Sequence, residues 1–266
     1  MKQISILGCG WLGMPLAKHL LQKGYSIKGS TTTETKLELL QNEGITPFLI
    51  SLKANDIPSI HDAFLENSEI LIINIPPGLR GSSGESFVAK MENFVQFVEK
   101  SSIKKVIFVS SNSVYADENQ IVTEETIPNP ETESGKQLFI VENLLLQNTN
   151  FQTTILRFGG LIGEDRHPIT FLAGRSNLEN PEAPINLIHQ VDCIEIIRII
   201  IEKEVWNTVF NAVAPFHPSR KKYYTKKAEE LNLVPPQFNE NQPSVGKTIS
   251  SDKLIRILNY EFKNLG

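Results

Sequence analysis

Three glycines near the start of the chain constrain it most. Residues 4–7, Ile-Ser-Ile-Leu, form a short apolar run that leads straight into Gly8-x-Gly10-x-x-Gly13. In this spacing each glycine has its own task. Gly8 permits a tight turn out of a strand, Gly10 lets bare backbone approach a pyrophosphate, and Gly13 lets the next helix pack close to the sheet. Trp11 to Lys23 reads as that helix, with Leu12, Leu16, Leu20 and Leu21 as its apolar positions and Gly24 as its C-terminal stop. A pyrophosphate placed here would rest on the free amides of the helix N-terminus. The strand–turn–helix context is the one in which the motif points to a dinucleotide, with Gly8, Gly10, Trp11, Leu12 and Gly13 as its contacts.

The rest of the chain alternates in the same manner. Strands are expected at 25–31, 47–52, 69–75, 105–111 and 153–158, and helices at 34–42, 86–100 and 133–147. Several of these strands are continuous apolar runs, the pattern of strands buried on both faces. The reading is therefore α/β: a Rossmann-type doubly wound parallel sheet with a small C-terminal α/β lid. Residues 1–158 are read as the dinucleotide-binding domain, with 192–212 returning to it. Residues 159–191 and 213–266 are read as a smaller substrate-binding lid. Ligands of such sheets bind at the carboxyl ends of the strands, so the loops after residues 7, 31, 75, 111 and 158 are expected to line one cleft.

Composition narrows the function classes. A net charge of -4 over 266 residues gives no basic footprint for nucleic acid. Two cysteines, Cys9 and Cys193, make no disulfide framework, and a cytoplasmic location is expected. With a core strand opening the chain, no signal peptide is expected. The longest apolar stretch, 194–205, is interrupted by Glu195, Arg198 and Glu202 and reads as an amphipathic helix rather than a membrane span. The five histidines are scattered and fit no metal set. A small-molecule substrate is expected, with no nucleic-acid or membrane partner.

The end of the second strand bears on the choice of cofactor. It reads Gly29-Ser30-Thr31-Thr32-Thr33, with Lys36 a helical turn on. Hydroxyls and a lysine suit a 2′-phosphate, which a carboxylate would repel. The expectation is NADP, with Ser30, Thr31, Thr32 and Lys36 as contacts, while the nearby Glu34 keeps NAD possible. The same threonines also suit a helix cap, and Lys36 a solvated surface. The turn Asn74-Ile75-Pro76-Pro77-Gly78 is expected to pass beside the nicotinamide ribose, with Ile75, Pro76 and Pro77 as contacts, as well as ending its strand.

Further motifs carry a resemblance. Val106 to Tyr115, with Ser111 four residues before a Val-Tyr tyrosine, resembles the fifth strand of extended short-chain dehydrogenases/reductases. Leu156-Arg157-Phe158-Gly159-Gly160, Arg166-His167-Pro168, Ile185 to His189, Asn211 to Pro215, His217 to Arg220 and Gly246-Lys247-Thr248 follow in order. Together with Gly-x-Gly-Trp-Leu-Gly-x-Pro-Leu-Ala at the start, the whole chain is similar to the YeeZ-like group of atypical NAD(P)-binding, epimerase/dehydratase-related proteins. The resemblance implies an oxidoreductase or an epimerase/dehydratase-like protein for a small polar, nucleotide-sugar-like substrate. It also implies a monomer or a homodimer paired through the helices near 86–100 and 133–147.

One departure matters for mechanism. The wider family uses Tyr-x-x-x-Lys on the helix after the fifth strand, the tyrosine as acid/base and the lysine on the same face. Glu142 resembles the acidic residue that often stands four positions after that lysine. Counting back, Leu138 takes the lysine place and Ser134 the tyrosine place. Ser111 is the best-placed survivor for a substrate oxygen, though strand-end serines also cap turns. Tyr115 offers a phenol or is a core aromatic. Lys136 offers a cation if the helix starts late, since two residues turn about 200° around a helix, and is otherwise a solvated lysine. Arg166, His167, Asn186 and His189 are the substrate candidates of the lid: Arg166 as an anion clamp, the histidines as titrating groups or as hydrogen-bonded structural ones. A dinucleotide-loaded sensor or partner-binding protein is the alternative, favoured by the missing pair.

Overall fold

The structure is a computed structural model that describes residues 2–54, 60–78 and 85–263. Strand β1 (Gln3–Leu7) feeds helix α1 (Gly13–Gln22), and β2 (Ser26–Thr31) follows. Gly24 ends α1 at φ 86°, its amide bonded to the Leu21 carbonyl at 2.9 Å. The expected helix at 34–42 begins instead as a 3-10 turn, Glu34–Lys36, and becomes α2 only at Leu37–Asn42. Strand β3 (Thr46–Leu49), α3 (Ile60–Leu65), β4 (Ile70–Ile73), α4 (Phe87–Lys100) and β5 (Lys105–Ser111) come next. Helix α4 is started by the Ser86 hydroxyl, which accepts from the Ala89 amide at 3.3 Å. Its Phe87, Met91, Phe94, Val95 and Val98 form the buried stripe, the spacing of a helix laid on a sheet.

The short β6 (Ile121–Val122) precedes α5 (Glu133–Leu146), β7 (Gln152–Phe158) and β8 (Gly160–Ile162). Then come α6 (Ile169–Leu172), β9 (Leu187–His189), α7 (Gln190–Lys203), β10 (Thr208–Ala212), α8 (Arg220–Glu230), β11 (Thr248–Ile249) and α9 (Asp252–Leu258). The main sheet has seven strands in the order β10-β7-β5-β4-β1-β2-β3, with β1 parallel to both β2 and β4. The chain runs outward from β1 to β3 and returns at β4, so the order reverses between β1 and β4. That reversal leaves a crevice at the carboxyl ends of the strands, the usual ligand position in open α/β sheets.

The chain divides into two compact units. The first comprises Met1–Val114, Pro130–Leu156 and Ile194–Val209. Its core is the fully buried Ile4, Ile6, Ile70 to Ile73, Val106, Ile107 and Phe108, covered by α1 and by the stripe of α4. Helix α5 is seated by Gly135: a Cβ there would lie 2.3 Å from the Ser113 carbonyl oxygen, so only glycine fits. The second unit comprises Tyr115–Asn129, Arg157–Cys193 and Phe210–Gly266. It packs Ile162, Ile169, Ile185, Leu187, Tyr223, Tyr224 and Ala228 together and pairs β8 with β9 and β6 with β11, all parallel. No helix among the described residues is long and apolar enough to cross a membrane.

Candidate cofactor site

The first unit carries a cavity of about 390 Å³ at the carboxyl ends of β1 to β4. Its lining includes Gly8 and Gly10 after β1, Ser30 to Thr33 and Lys36 after β2, and Ile75, Pro76 and Pro77 after β4. Ser111, Trp11, Leu12 and Gly13 are not among its lining residues. Leu12 and Gly13 are buried at the start of α1.

The three glycines divide by what a side chain would meet. A Cβ on Gly8, which sits at φ 102°, would lie 2.4 Å from the Asn74 carbonyl oxygen. One on Gly13 would lie 2.1 Å from the Gly8 carbonyl oxygen. These two glycines are demanded by the fold itself. A Cβ on Gly10 would meet nothing within 4 Å. Protein packing gives no reason for glycine there, whereas a ligand approaching the backbone does. Helix α1 also starts without any side-chain cap; Met14 spends its amide on the Gly10 carbonyl at 3.0 Å and Pro15 has none, which leaves the Gly13 amide at the helix start for an anionic group. The residues present thus fit a dinucleotide's pyrophosphate.

The turn is held from two sides. The Ser30 hydroxyl accepts from the Gly8 amide at 2.9 Å, and the Asn74 side-chain amide donates to the Gly8 carbonyl at 3.0 Å. Cys9 lies beneath, its Sγ 2.6 Å from where a Gly29 Cβ would stand. Burial pushes its thiol up to about 12, which keeps it protonated and unreactive. The side of the cavity beyond β2 carries hydroxyls and cations. Thr31 Oγ1 accepts from the Thr33 amide at 3.1 Å, while Thr33 begins the 3-10 turn without a side-chain cap bond. Lys36 is exposed with no side-chain partner among the described residues; Lys90, also in the lining, pairs with Glu85 at 2.9 Å. No carboxylate is among the described lining residues, and Glu34 is not part of it.

Sequence reasoning placed Asn74 at the site but missed its bond to Gly8, and missed the segment Ile50–Leu52 and Phe87 and Lys90 of α4. Of these, Ile50–Leu52 was within reach, because β3 ends at the same sheet edge as β2. The Asn74 bond spans 66 positions, and Phe87 and Lys90 depend on where α4 begins, which no local pattern states.

Most of the remaining candidates bond to groups of the protein itself. Ser111 ends β5 half-buried, its hydroxyl accepting from the Ser113 amide at 3.1 Å, a strand-end turn. Helix α5 begins at Glu133, capped by Thr132, so the late start that Lys136 requires is not found; Lys136 is exposed on the first turn. Leu138 is 4% exposed and Glu142 is fully buried, accepting from the Ser110 hydroxyl.

In the second unit Tyr115 is the core aromatic of the two readings. It is 2% exposed, and its phenol donates to Asn211 Oδ1 at 3.1 Å and accepts from the Arg157 guanidinium, which also stacks on the ring. Burial raises its pKa, the wrong direction for an acid/base group near neutrality. His167 Nδ1 accepts from the Ile169 amide at 3.1 Å, which fixes the neutral tautomer with Nε2 toward the Tyr223 hydroxyl at 3.0 Å. Burial, helped by the charge of Lys227, holds its pKa down at about 4. Asn186 spends its amide on backbone, donating to Lys247 O at 2.7 Å and accepting from the Ile249 amide at 2.9 Å. His189 Nδ1 accepts from the Val191 amide at 3.2 Å, and Arg166 is exposed on a turn with Gly163. Among the described residues no cluster of His, Cys, Asp and Glu is arranged to hold a metal ion.

Comparison with known proteins agrees in fold and family. The model of the NAD(P)H-binding family matches residues 8–186. Protein YeeZ of Escherichia coli strain K12 is 33% identical over 270 residues, covering 99% of this chain and 96% of YeeZ. The UDP-glucuronic acid 4-epimerase of Bacillus cereus, solved in complex with NAD, superimposes with a TM-score of 0.81 at 17% identity, covering 98% of this chain and 92% of that one. The UDP-glucose 4-epimerase of Thermotoga maritima, solved with UDP-glucose, gives a TM-score of 0.81 at 18% identity, covering 98% and 94%.

Proposed function

The chain belongs to the NAD(P)H-binding family and is a full-length relative of YeeZ, and on that premise we propose that it is an NADP-preferring oxidoreductase or epimerase/dehydratase-like enzyme. Its substrate is small and polar, of the nucleotide-sugar class that the epimerase neighbours are named for. The observation that carries the reading is Gly10, a glycine with open space above it beside an uncapped helix start.

Gly10 and the Gly13 amide at the start of α1 would hold the pyrophosphate, on a turn that Gly8 permits. Thr32, Thr33 and Lys36 would hold a 2′-phosphate, and the absence of a carboxylate from the described lining leaves nothing there to repel it. Ile75, Pro76 and Pro77 would bound the nicotinamide side and exclude water. The cofactor, when bound, supplies hydride transfer. Ser111 is the candidate to orient a substrate oxygen, since its hydroxyl proton remains free to donate while its oxygen accepts from Ser113. Arg166 is the candidate to bind an anionic substrate group.

The test is a fluorescence titration with NADPH and NADH, followed by turnover of Ser111→Ala. NADPH is expected to bind more tightly than NADH, and Ser111→Ala to lower turnover with cofactor affinity unchanged. If neither nucleotide binds at micromolar concentration, the reading fails. A second reading, a dinucleotide-loaded sensor, is favoured by Leu138 and Ser134 standing where the family's pair would be. It predicts tight binding and no turnover with any carbonyl or nucleotide-sugar substrate.

A further inference from the structure

The second unit has a cavity of its own, about 430 Å³, built on α8 and sharing no residue with the first. Phe216 and Pro218 line it together with Lys222, Tyr223, Lys226, Lys227 and Glu230 of α8. In a chain of net charge -4, the first eight residues of α8 carry Arg220, Lys221, Lys222, Lys226 and Lys227. Two of these are engaged elsewhere: Arg220 donates to the Glu179 carbonyl at 2.8 Å and Lys221 pairs with Glu240. The three in the cavity face a single carboxylate, Glu230, which lies 3.1 Å from Lys227 and 3.6 Å from Lys226. Lys222 has no side-chain partner among the described residues, and it stands four residues before Lys226, a spacing at which like charges repel.

The base of the cavity is fixed. Tyr223 is 7% exposed, its hydroxyl bonded to His167 and its ring 5.2 Å from that of Tyr224, edge to face. The cations therefore rise from a packed floor rather than from a frayed surface.

We propose that this cavity binds a small phosphate monoester carrying a flat ring. Three lysines against one glutamate leave two positive charges, and a phosphate monoester brings about 1.5 to 2 negative ones at pH 7. Lysine ammonium groups suit a phosphate as point charges and do not demand the fork geometry of a carboxylate–arginine pair. The volume falls within the roughly 300–1,000 Å³ of small-molecule sites, more than a bare phosphate needs. Phe216, 42% exposed beside Pro218, offers the apolar face on which a ring would lie. The inference is independent of the cofactor reading.

Calorimetry with AMP as the probe tests it, on the full chain kept with excess NADPH, with inorganic phosphate and adenosine as parallel arms. AMP is expected to bind one to one, phosphate more weakly, and adenosine not at all. Lys222→Ala with Lys226→Ala should weaken AMP by about tenfold or more, with the melting temperature and NADPH affinity unchanged. Phe216→Ala should weaken AMP but leave phosphate alone. The proposal is overturned if AMP fails to bind at millimolar concentration, binds the double variant as it binds the parent, binds no better than phosphate, or is displaced by NADPH. Failure of NADPH itself to bind would sink the cofactor reading and leave the lysine dependence of AMP binding as decisive as before.

Discussion

Gly10→Ala separates what the fold needs from what the ligand needs. The position does not hold the left-handed backbone that strains an alanine, and an added Cβ meets no atom within 4 Å. Replacing such a glycine removes freedom from the unfolded chain and stabilises by about 0.4–1 kcal/mol. At about 2–4 °C per kcal/mol for a chain of this size, the melting temperature of the free protein should rise by roughly 1–4 °C. The same methyl stands where a pyrophosphate would approach bare backbone. Intrusion of a methyl into a tight contact costs about 1–3 kcal/mol, so NADPH affinity should fall roughly 5- to 150-fold. The assay is a thermal melt of free protein paired with a fluorescence titration of NADPH. Gly8→Ala and Gly13→Ala are the controls: at 2.4 Å and 2.1 Å from backbone oxygens, their methyls should lower the melting temperature before any ligand is added. A Gly10→Ala protein that is more stable and binds NADPH like the parent would refute the assignment of this turn.

Lys36→Ala should weaken NADPH by about 1–2 kcal/mol, roughly 5- to 30-fold, and change NADH less than about twofold; equal losses would remove Lys36 from 2′-phosphate recognition. Tyr115→Phe leaves Asn211 and Arg157 without the phenol and should cost about 1–3 kcal/mol, a fall of about 2–12 °C in melting temperature. Any surviving turnover should keep its pH profile, because the phenol is structural; a shifted profile would return Tyr115 to the chemistry. His167 has a folded pKa of about 4 against an ordinary 6.5, so the folded state favours the neutral ring. Its contribution to stability is intact above pH 6.5 and drains away as pH falls toward 4. Denaturation by urea at pH 7.5, 5.5 and 4.5 should show this slope, and His167→Gln should flatten it; parallel slopes would contradict a neutral His167 ring in the folded protein.

What the sequence discloses depends on how far apart the interacting residues lie. Strand β5 and helices α4 and α5 were legible almost to the residue, because each carries its own apolar period and, for the helices, its own cap. Strands β6, β8, β9 and β11 have only two or three residues, too few for alternation to register. The glycine turn was legible because its three glycines fall within six residues, although the oxygen that demands Gly8 belongs to Asn74, far along the chain. The partners of His167, Asn186 and Tyr115 are 56, 61 and 96 positions away. No local pattern could show that these polar groups already serve the protein's own backbone and side chains.

Leu138 has a consequence beyond the missing lysine. It is buried on a helix whose first turn is pinned to the end of β5 through Gly135 and the Ser113 carbonyl, so the helix cannot swing to make room. An ammonium introduced there would stand at a position only 4% exposed, where a charge costs several kcal/mol unless a partner meets it. Restoring a tyrosine and a lysine to positions 134 and 138 is therefore not a two-step change. Burial acts as a ratchet here: the leucine is held where it is by what it hides from water, and a lysine in its place would need a partner for its charge before it could serve any chemistry.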